Sequence, residues 1–178
     1  MVTTNRAAYR IRQFWHAINA WYLSQSASEE VGALLNSAQM DLFYSQSSII
    51  QQHSCRVMRL LRSTGNDDPD LLVAALLHDV GKTRMPVKWW ERPFAVLVNA
   101  LFPTQSAAWA SGSPDGWRRP FVVQAKHADW GAEMAEGAMS SAITVIIIRR
   151  HQDPTETMVG MEREDRLLRM LQWADGSN

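Results

Sequence analysis

Four histidines in this sequence could together provide imidazole ligands for metal ions: His53, His78, His127 and His151. A single histidine is more often hydrogen-bonded or exposed than bound to a metal, so the four matter as a set. The fifth histidine, His16, lies among aromatic residues, and we expect a structural or surface role for it.

The pair His78–Asp79 ends an apolar segment, 71–77, and is followed by Gly81 and Lys82. Burying such a pair without a partner would be costly. Adjacent helical residues point about 100° apart, so the pair does not form the chelate that residues four apart on a helix can form. The Asp79 carboxylate could instead bridge two ions while His78 binds one, and Lys82 would then meet a phosphate oxygen as a point charge. Asp79 and Lys82 are therefore the candidate catalytic residues.

Helical periodicity predicts the elements that must position these residues. Helices are predicted over 6–23, from a cap at Ser37, from about Ser47 to Gly65, over 70–80, 120–137 and 141–150, and from about Glu162 to Trp173. We expect Gly81 to end the fourth of these in a left-handed conformation. No strand pattern has a partner, so the predicted fold class is all-α, with an N-terminal helical extension (1–36) packed on a core domain (37–178).

Composition excludes several classes of protein. The chain has 178 residues, 46% of them hydrophobic, which suits one domain with a real core. Lysine plus arginine and aspartate plus glutamate each number 18, so we expect no stable binding to nucleic acid. The single cysteine, Cys55, excludes an internal disulfide and a cysteine zinc cluster, and it fits a reducing, cytoplasmic setting.

Neither a secretory signal nor a membrane span is predicted. The apolar runs 94–102 and 143–148 are shorter than the roughly 20 residues that a spanning helix needs. The aromatic segment 89–117 could be a lid over a pocket, a dimer face or plain core, which leaves a homodimer open.

Three stretches of this sequence resemble the HD-domain metal-dependent phosphohydrolases: Gln52-His53-Ser54, the segment from Asp70 through His78-Asp79-Val80-Gly81-Lys82, and Ala174-Asp175. The resemblance covers roughly residues 42–175 and implies an HD-type helical bundle. It also implies that His53, His78, Asp79 and Asp175 hold one ion.

The segments around His127 and His151 look like those that supply a second ion in binuclear members such as the HD-GYP phosphodiesterases. The resemblance implies that Asp79, His127 and His151 hold this ion. The Gly-Tyr-Pro motif is missing, and one histidine stands where those proteins carry two. Asp129 could orient His127. Arg149 and Arg150 could hold a distal phosphate, although a solvated helix end also explains them.

These features favour a phosphohydrolase, either a phosphodiesterase or a nucleotide phosphatase, in which a metal-activated water attacks a phosphate ester. Imidazole and carboxylate ligands without thiolate suit two divalent manganese, iron, zinc or similar ions. The expected partner is a small phosphorylated substrate such as a nucleotide. Two alternatives stay open: a catalytically silent metal- and nucleotide-binding sensor or scaffold, and a helical protein whose histidines are incidental.

Overall fold

The computed structural model describes residues 23–85, 98, 101–110, 112, 116–154 and 162–177. Eight α-helices and no strand lie in these residues, which confirms the predicted all-α class. The helices are α1 (Gln25–Gly32), α2 (Ser37–Ser45), α3 (Ser48–Ser63), α4 (Pro69–Leu77), α5 (Pro103–Ala110), α6 (Arg119–Gly137), α7 (Ala142–Arg150) and α8 (Arg163–Gly176). Short 3₁₀ turns lie at Val80–Thr83 and Gly116–Arg118.

Helix α4 is the centre of the core. The Asp68 side chain caps its start by accepting a hydrogen bond from the Asp70 amide, and Pro69 occupies the first turn, where no amide donor is needed. Every residue in 71–77 is buried, as expected for a helix that is apolar on all sides. Helices α2, α3, α7 and α8 pack around it, so its polar C-terminal end lies inside the protein.

Ion pairs and a hydrogen bond join the N-terminal ends of α4, α7 and α8. Arg163, the first residue of α8, pairs with Asp68 at 2.8 Å and with Asp70 at 2.9 Å. Ser141, which caps α7, donates a hydrogen bond to the same Asp70 carboxylate. Because the three helices begin at one end of the bundle, their last turns reach the other end together.

Gly81 does not end α4 in a left-handed conformation, so that prediction is wrong. Helix α4 ends at Leu77 with His78 as a right-handed cap, and Gly81 lies in the 3₁₀ turn with no positive φ. A glycine is required there because the turn lies directly on α6. A Cβ at Gly81 would overlap the backbone carbonyl of His127 and come within 2.6 Å of the Gly131 nitrogen.

Besides the end of α4, two other predicted helix ends differ from those observed. Asn36, not Ser37, caps α2, because its side chain and that of Gln39 form a reciprocal capping box. Helix α8 continues past Trp173 to Gly176, so Asp175 lies in its last turn rather than after its end. The predicted limits of α3, α6 and α7 agree with the structure to within one or two residues.

Several sequence-based predictions concern residues outside the described ranges. The helix predicted over 6–23 falls almost wholly there, and so does most of the aromatic segment. Val31 and Leu35 belong to the main buried cluster, whereas the division at residue 36 stays a prediction. Within the described part of the aromatic segment, Trp109 packs edge-on against Phe121 of α6, while Trp117 is half-exposed. None of the described helices is long and apolar enough to cross a membrane.

We predict that Gly81→Ala lowers the free energy of unfolding by about 3 kcal/mol or more, because the new methyl group meets backbone atoms of α6 that cannot move independently. Gly137→Ala is the matched control: Gly137 also belongs to α6, but a Cβ there has no neighbour within 4 Å. This control should stay within about 1 kcal/mol of wild type. Urea unfolding measures both, and equal stabilities would contradict the close contact.

Candidate metal centre

The six predicted ligands lie together, although they come from separate helices. His53 lies on α3, His78 and Asp79 follow the end of α4, and His127 lies within α6. His151 follows the end of α7, and Asp175 lies in the last turn of α8. The rings of His53, His78, His151 and His127 follow one another with centroids 5.1 to 5.5 Å apart.

The ligand atoms form two groups, each within 4.8 Å: one of His53, His78 and Asp175, and one of Asp79, His127 and His151. These are the sets that the resemblance implies, except that Asp79 falls only in the second. The two groups differ in exposure. The side chains of His53 and Asp175 are 23% and 36% exposed, whereas all three residues of the second group are buried.

Backbone carbonyls orient three of the imidazoles. Nδ1 of His78 lies 3.0 Å from the Ala75 oxygen, Nδ1 of His151 lies 2.7 Å from the Ile148 oxygen, and Nδ1 of His127 lies 3.0 Å from the Val123 oxygen. A carbonyl oxygen only accepts, so each Nδ1 carries the hydrogen and donates it. For His78 and His151, the acceptor is a carbonyl of the last helical turn, which has no partner within the helix. In its neutral form, each ring therefore turns an Nε2 lone pair toward the site.

Within the described part of the chain, the Nε2 atoms of these three rings have no ordinary hydrogen bond to a carboxylate or carbonyl oxygen, unlike Nε2 of His53, which lies 2.8 Å from Asp175 Oδ1. Nε2 of His78 is buried and has none among the described residues, since Asp79 Oδ2 and Asp175 Oδ1 lie 3.8 and 3.6 Å away. Nε2 of His127 faces Nε2 of His151 at 3.3 Å, so two lone pairs meet when both rings carry their hydrogen on Nδ1. Ligands about 2.1 Å from a shared ion are separated by about 3.3 to 3.6 Å. The donor set therefore fits metal ions.

Asp79 belongs to the second group, but its carboxylate also faces the first group. Its Oδ1 is 3.5 Å from Nε2 of His127, and its Oδ2 is 3.8 Å from Nε2 of His78. Burial opposes ionisation, but His78, a contact from His127 and the Lys82 ammonium hold the pKa of the Asp79 carboxyl well below its usual range. The carboxylate is charged at neutral pH and directs one oxygen to each group.

The pKa values of three other site residues are also shifted, and the shifts of His151 and Asp175 favour cation binding. Burial, reinforced by the neighbouring His78, lowers the pKa of His151 to about 3, so its imidazole is neutral. Contacts from His53 and His78 hold the pKa of Asp175 below its usual range. Burial opposes the charged form of His78, but Asp79 and Asp175 outweigh it and raise its pKa. A proton and a metal ion would compete for its Nε2.

The three predicted phosphate-binding cations have different surroundings. Lys82 lies beside the site, with Nζ bonded to Asp79. Arg149 is exposed at the end of α7. Arg150 is paired with Asp153 at 3.2 Å and with the buried Asp165 at 2.8 Å. The pair with Asp165 joins α7 to α8, which argues against the predicted substrate role of Arg150.

Asp129 does not orient His127, so that interpretation is wrong. Residues two apart on a helix point about 200° apart, and Asp129 is exposed while His127 is buried. The Val123 and Gln124 carbonyls take the place of a carboxylate. Cys55 is buried, and burial raises the pKa of its thiol to about 11, as is typical of an unreactive thiol.

Sequence reasoning missed two residues that support the site. Gly131 lies opposite Gly81, where an added Cβ would come 3.3 Å from the Gly81 nitrogen. A glycine inside a helical pattern, one turn after His127, was the available signal. Gln172 of α8 donates hydrogen bonds to the carbonyls of His151 and Asp153, which holds the end of α7 against α8. The residues around Gln172 in the sequence carry no comparable signal.

A family model described as HD domain matches residues 50–177, which is more than half of the chain and includes all six residues of the two groups. Neither the curated proteins nor the solved structures gave a significant match.

We predict that Arg150→Ala lowers the free energy of unfolding by about 1–3 kcal/mol, because the buried Asp165 carboxylate loses its partner. Arg149→Ala, the adjacent exposed arginine, is the control and should change stability by no more than about 0.5 kcal/mol. Chemical denaturation measures the free energy of unfolding of both variants. Wild-type stability in Arg150→Ala would reopen its assignment as a substrate-binding cation.

Proposed function

The chain belongs to the HD-domain family, and we propose on this premise that it is a metal-dependent phosphohydrolase acting on a small phosphorylated substrate such as a nucleotide. Members of this family bind divalent metals and are generally hydrolases. A phosphate ester suits a site with two cations, since two positive ions can neutralise the charge on phosphoryl oxygens.

The observation that carries this proposal is the position of Asp79 between two ligand groups. Each group offers two imidazole nitrogens and a carboxylate, and Asp79 directs one oxygen toward each. His53, His78 and Asp175 would hold one ion, with Asp79 as the bridge to a second ion held with His127 and His151. When bound, the ions supply an activated water and positive charge for the phosphate. The nitrogen and oxygen donors suit manganese, iron or zinc.

The chain's own residues contribute orientation and charge. The carbonyls of Ala75, Val123 and Ile148 fix the tautomer of three histidines, so little rearrangement is needed before ligation. The exposed side of the site, at His53 and Asp175, is where a substrate can approach. Lys82, with 29% of its side chain exposed, provides a cation beside Asp79.

The test is a screen of tag-free protein for release of phosphate or nucleotide. Protein loaded with manganese, iron or zinc is offered phosphomonoesters, phosphodiesters, nucleotides and cyclic dinucleotides. We expect metal-dependent hydrolysis of one class and at least about a thousandfold loss of kcat in Asp79→Asn, because the amide keeps the size but loses the bridging charge. Asp129→Asn, the same change at an exposed position, should retain activity.

Two outcomes would contradict the proposal. Full activity in Asp79→Asn would remove the bridging carboxylate from the reaction. Metal loading with tight nucleotide binding but no product from any class would instead support a catalytically silent sensor.

The unequal exposure of the two groups generates a separate prediction about metal exchange. We expect a colorimetric chelator to remove the two ions in two phases, because a ligand set that is buried releases its ion only when the structure opens. His53→Ala should remove the fast phase, and His127→Ala should remove the slow one. Stopped-flow absorbance records both phases, and a single phase containing two ions would contradict the assignment.

A further inference from the structure

Lys82 holds both oxygens of the carboxylate that lies between the two groups. Its Nζ is 2.6 Å from Oδ1 and 2.7 Å from Oδ2 of Asp79. These are the same oxygens that face His127 and His78. The ammonium therefore occupies lone pairs that a bridging carboxylate would offer to ions.

The local backbone brings Lys82 next to Asp79. Lys82 lies three residues after Asp79 in the 3₁₀ turn, and side chains three apart are eclipsed in a 3₁₀ helix. The Lys82 amide also donates to the Asp79 carbonyl at 3.1 Å. The nearby Arg84 cation is directed elsewhere, to Glu133 at 2.7 Å. Lys82 is thus the cation that the turn delivers to Asp79.

We propose that the Lys82 ammonium competes with the metal ions for the Asp79 carboxylate. It lowers the affinity of the site for the ions while it holds Asp79, and it must leave that carboxylate when they bind. This inference rests on the proposed metal site. A metal ion and an ammonium group both need the Asp79 oxygens, and like charges a few ångströms apart repel each other. Ion binding would also release the ammonium toward the exposed side of the site, so a cation for the phosphate becomes available when the site is loaded.

The experiment measures Mn²⁺ binding to the full chain by the electron paramagnetic resonance signal of free Mn²⁺. Lys82→Met keeps the apolar stem and removes the ammonium. We expect its apparent dissociation constant to be about tenfold lower than that of wild type, since both the competition and the repulsion are lost. Lys82→Arg, which keeps a cation able to pair with both carboxylate oxygens, should bind no more tightly than wild type.

Arg84→Met is the matched control for net charge. It removes one positive charge two residues along the chain, from an exposed side chain paired with Glu133. Its Mn²⁺ affinity should stay within about twofold of wild type, because exposed charges are largely screened. Thermal unfolding of all variants confirms that they fold.

Equal or weaker Mn²⁺ binding in Lys82→Met would overturn the inference and would make Lys82 a residue that positions Asp79 for the ions. Tighter binding without hydrolysis of any phosphate ester would support the inference while the proposed function fails. Absence of Mn²⁺ binding in every variant would remove both.

Discussion

The whole site depends on one close backbone contact, where the 3₁₀ turn after α4 lies against α6. Gly81 and Gly131 permit it, since an added Cβ at Gly81 would overlap the carbonyl of His127. The contact brings Asp79, which comes directly after the central helix, to within 3.5 Å of a histidine on another helix. Any larger residue would separate the two backbones and, with them, the two ligands. The same close contact therefore determines both how the turn packs on α6 and where the polar ligands lie.

The polar cluster can be buried in a dense core because helix carbonyls accept a hydrogen bond from one of the two nitrogens of each buried imidazole. His78 and His151 each donate from Nδ1 to a carbonyl of the last turn of the preceding helix. The same bond removes an unsatisfied acceptor at the helix end and leaves Nε2 without a hydrogen. Burial of an imidazole is costly when its nitrogens lack partners. Here one nitrogen is satisfied by the backbone, and the other is left for a cation.

Much of this arrangement could be predicted from the sequence, because periodicity and capping residues are local. The limits of α3, α6 and α7 followed from the apolar pattern, and Ser141 was rightly placed at a helix start. Gly81 was misinterpreted because a glycine after a helix usually marks a left-handed cap. Here a glycine is required by the close contact with α6, which lies far away in the sequence. The interpretation of Asp129 failed for a similar reason, because it depends on which helix face is buried. The ion pair of Arg150 depends in the same way on Asp165, which lies on another helix. Composition cannot report either contact.

The histidine contacts also divide the formation of the site into early and late steps. Each Nδ1 bond joins residues three or four apart within one helix or across its end, so it can form as soon as that helix forms. The contact of His53 with Asp175 joins α3 to α8 across most of the chain, and contacts of large sequence separation form slowly because long loops must close. The tautomers are thus set before the site exists, and docking of α8 is the folding step that completes it.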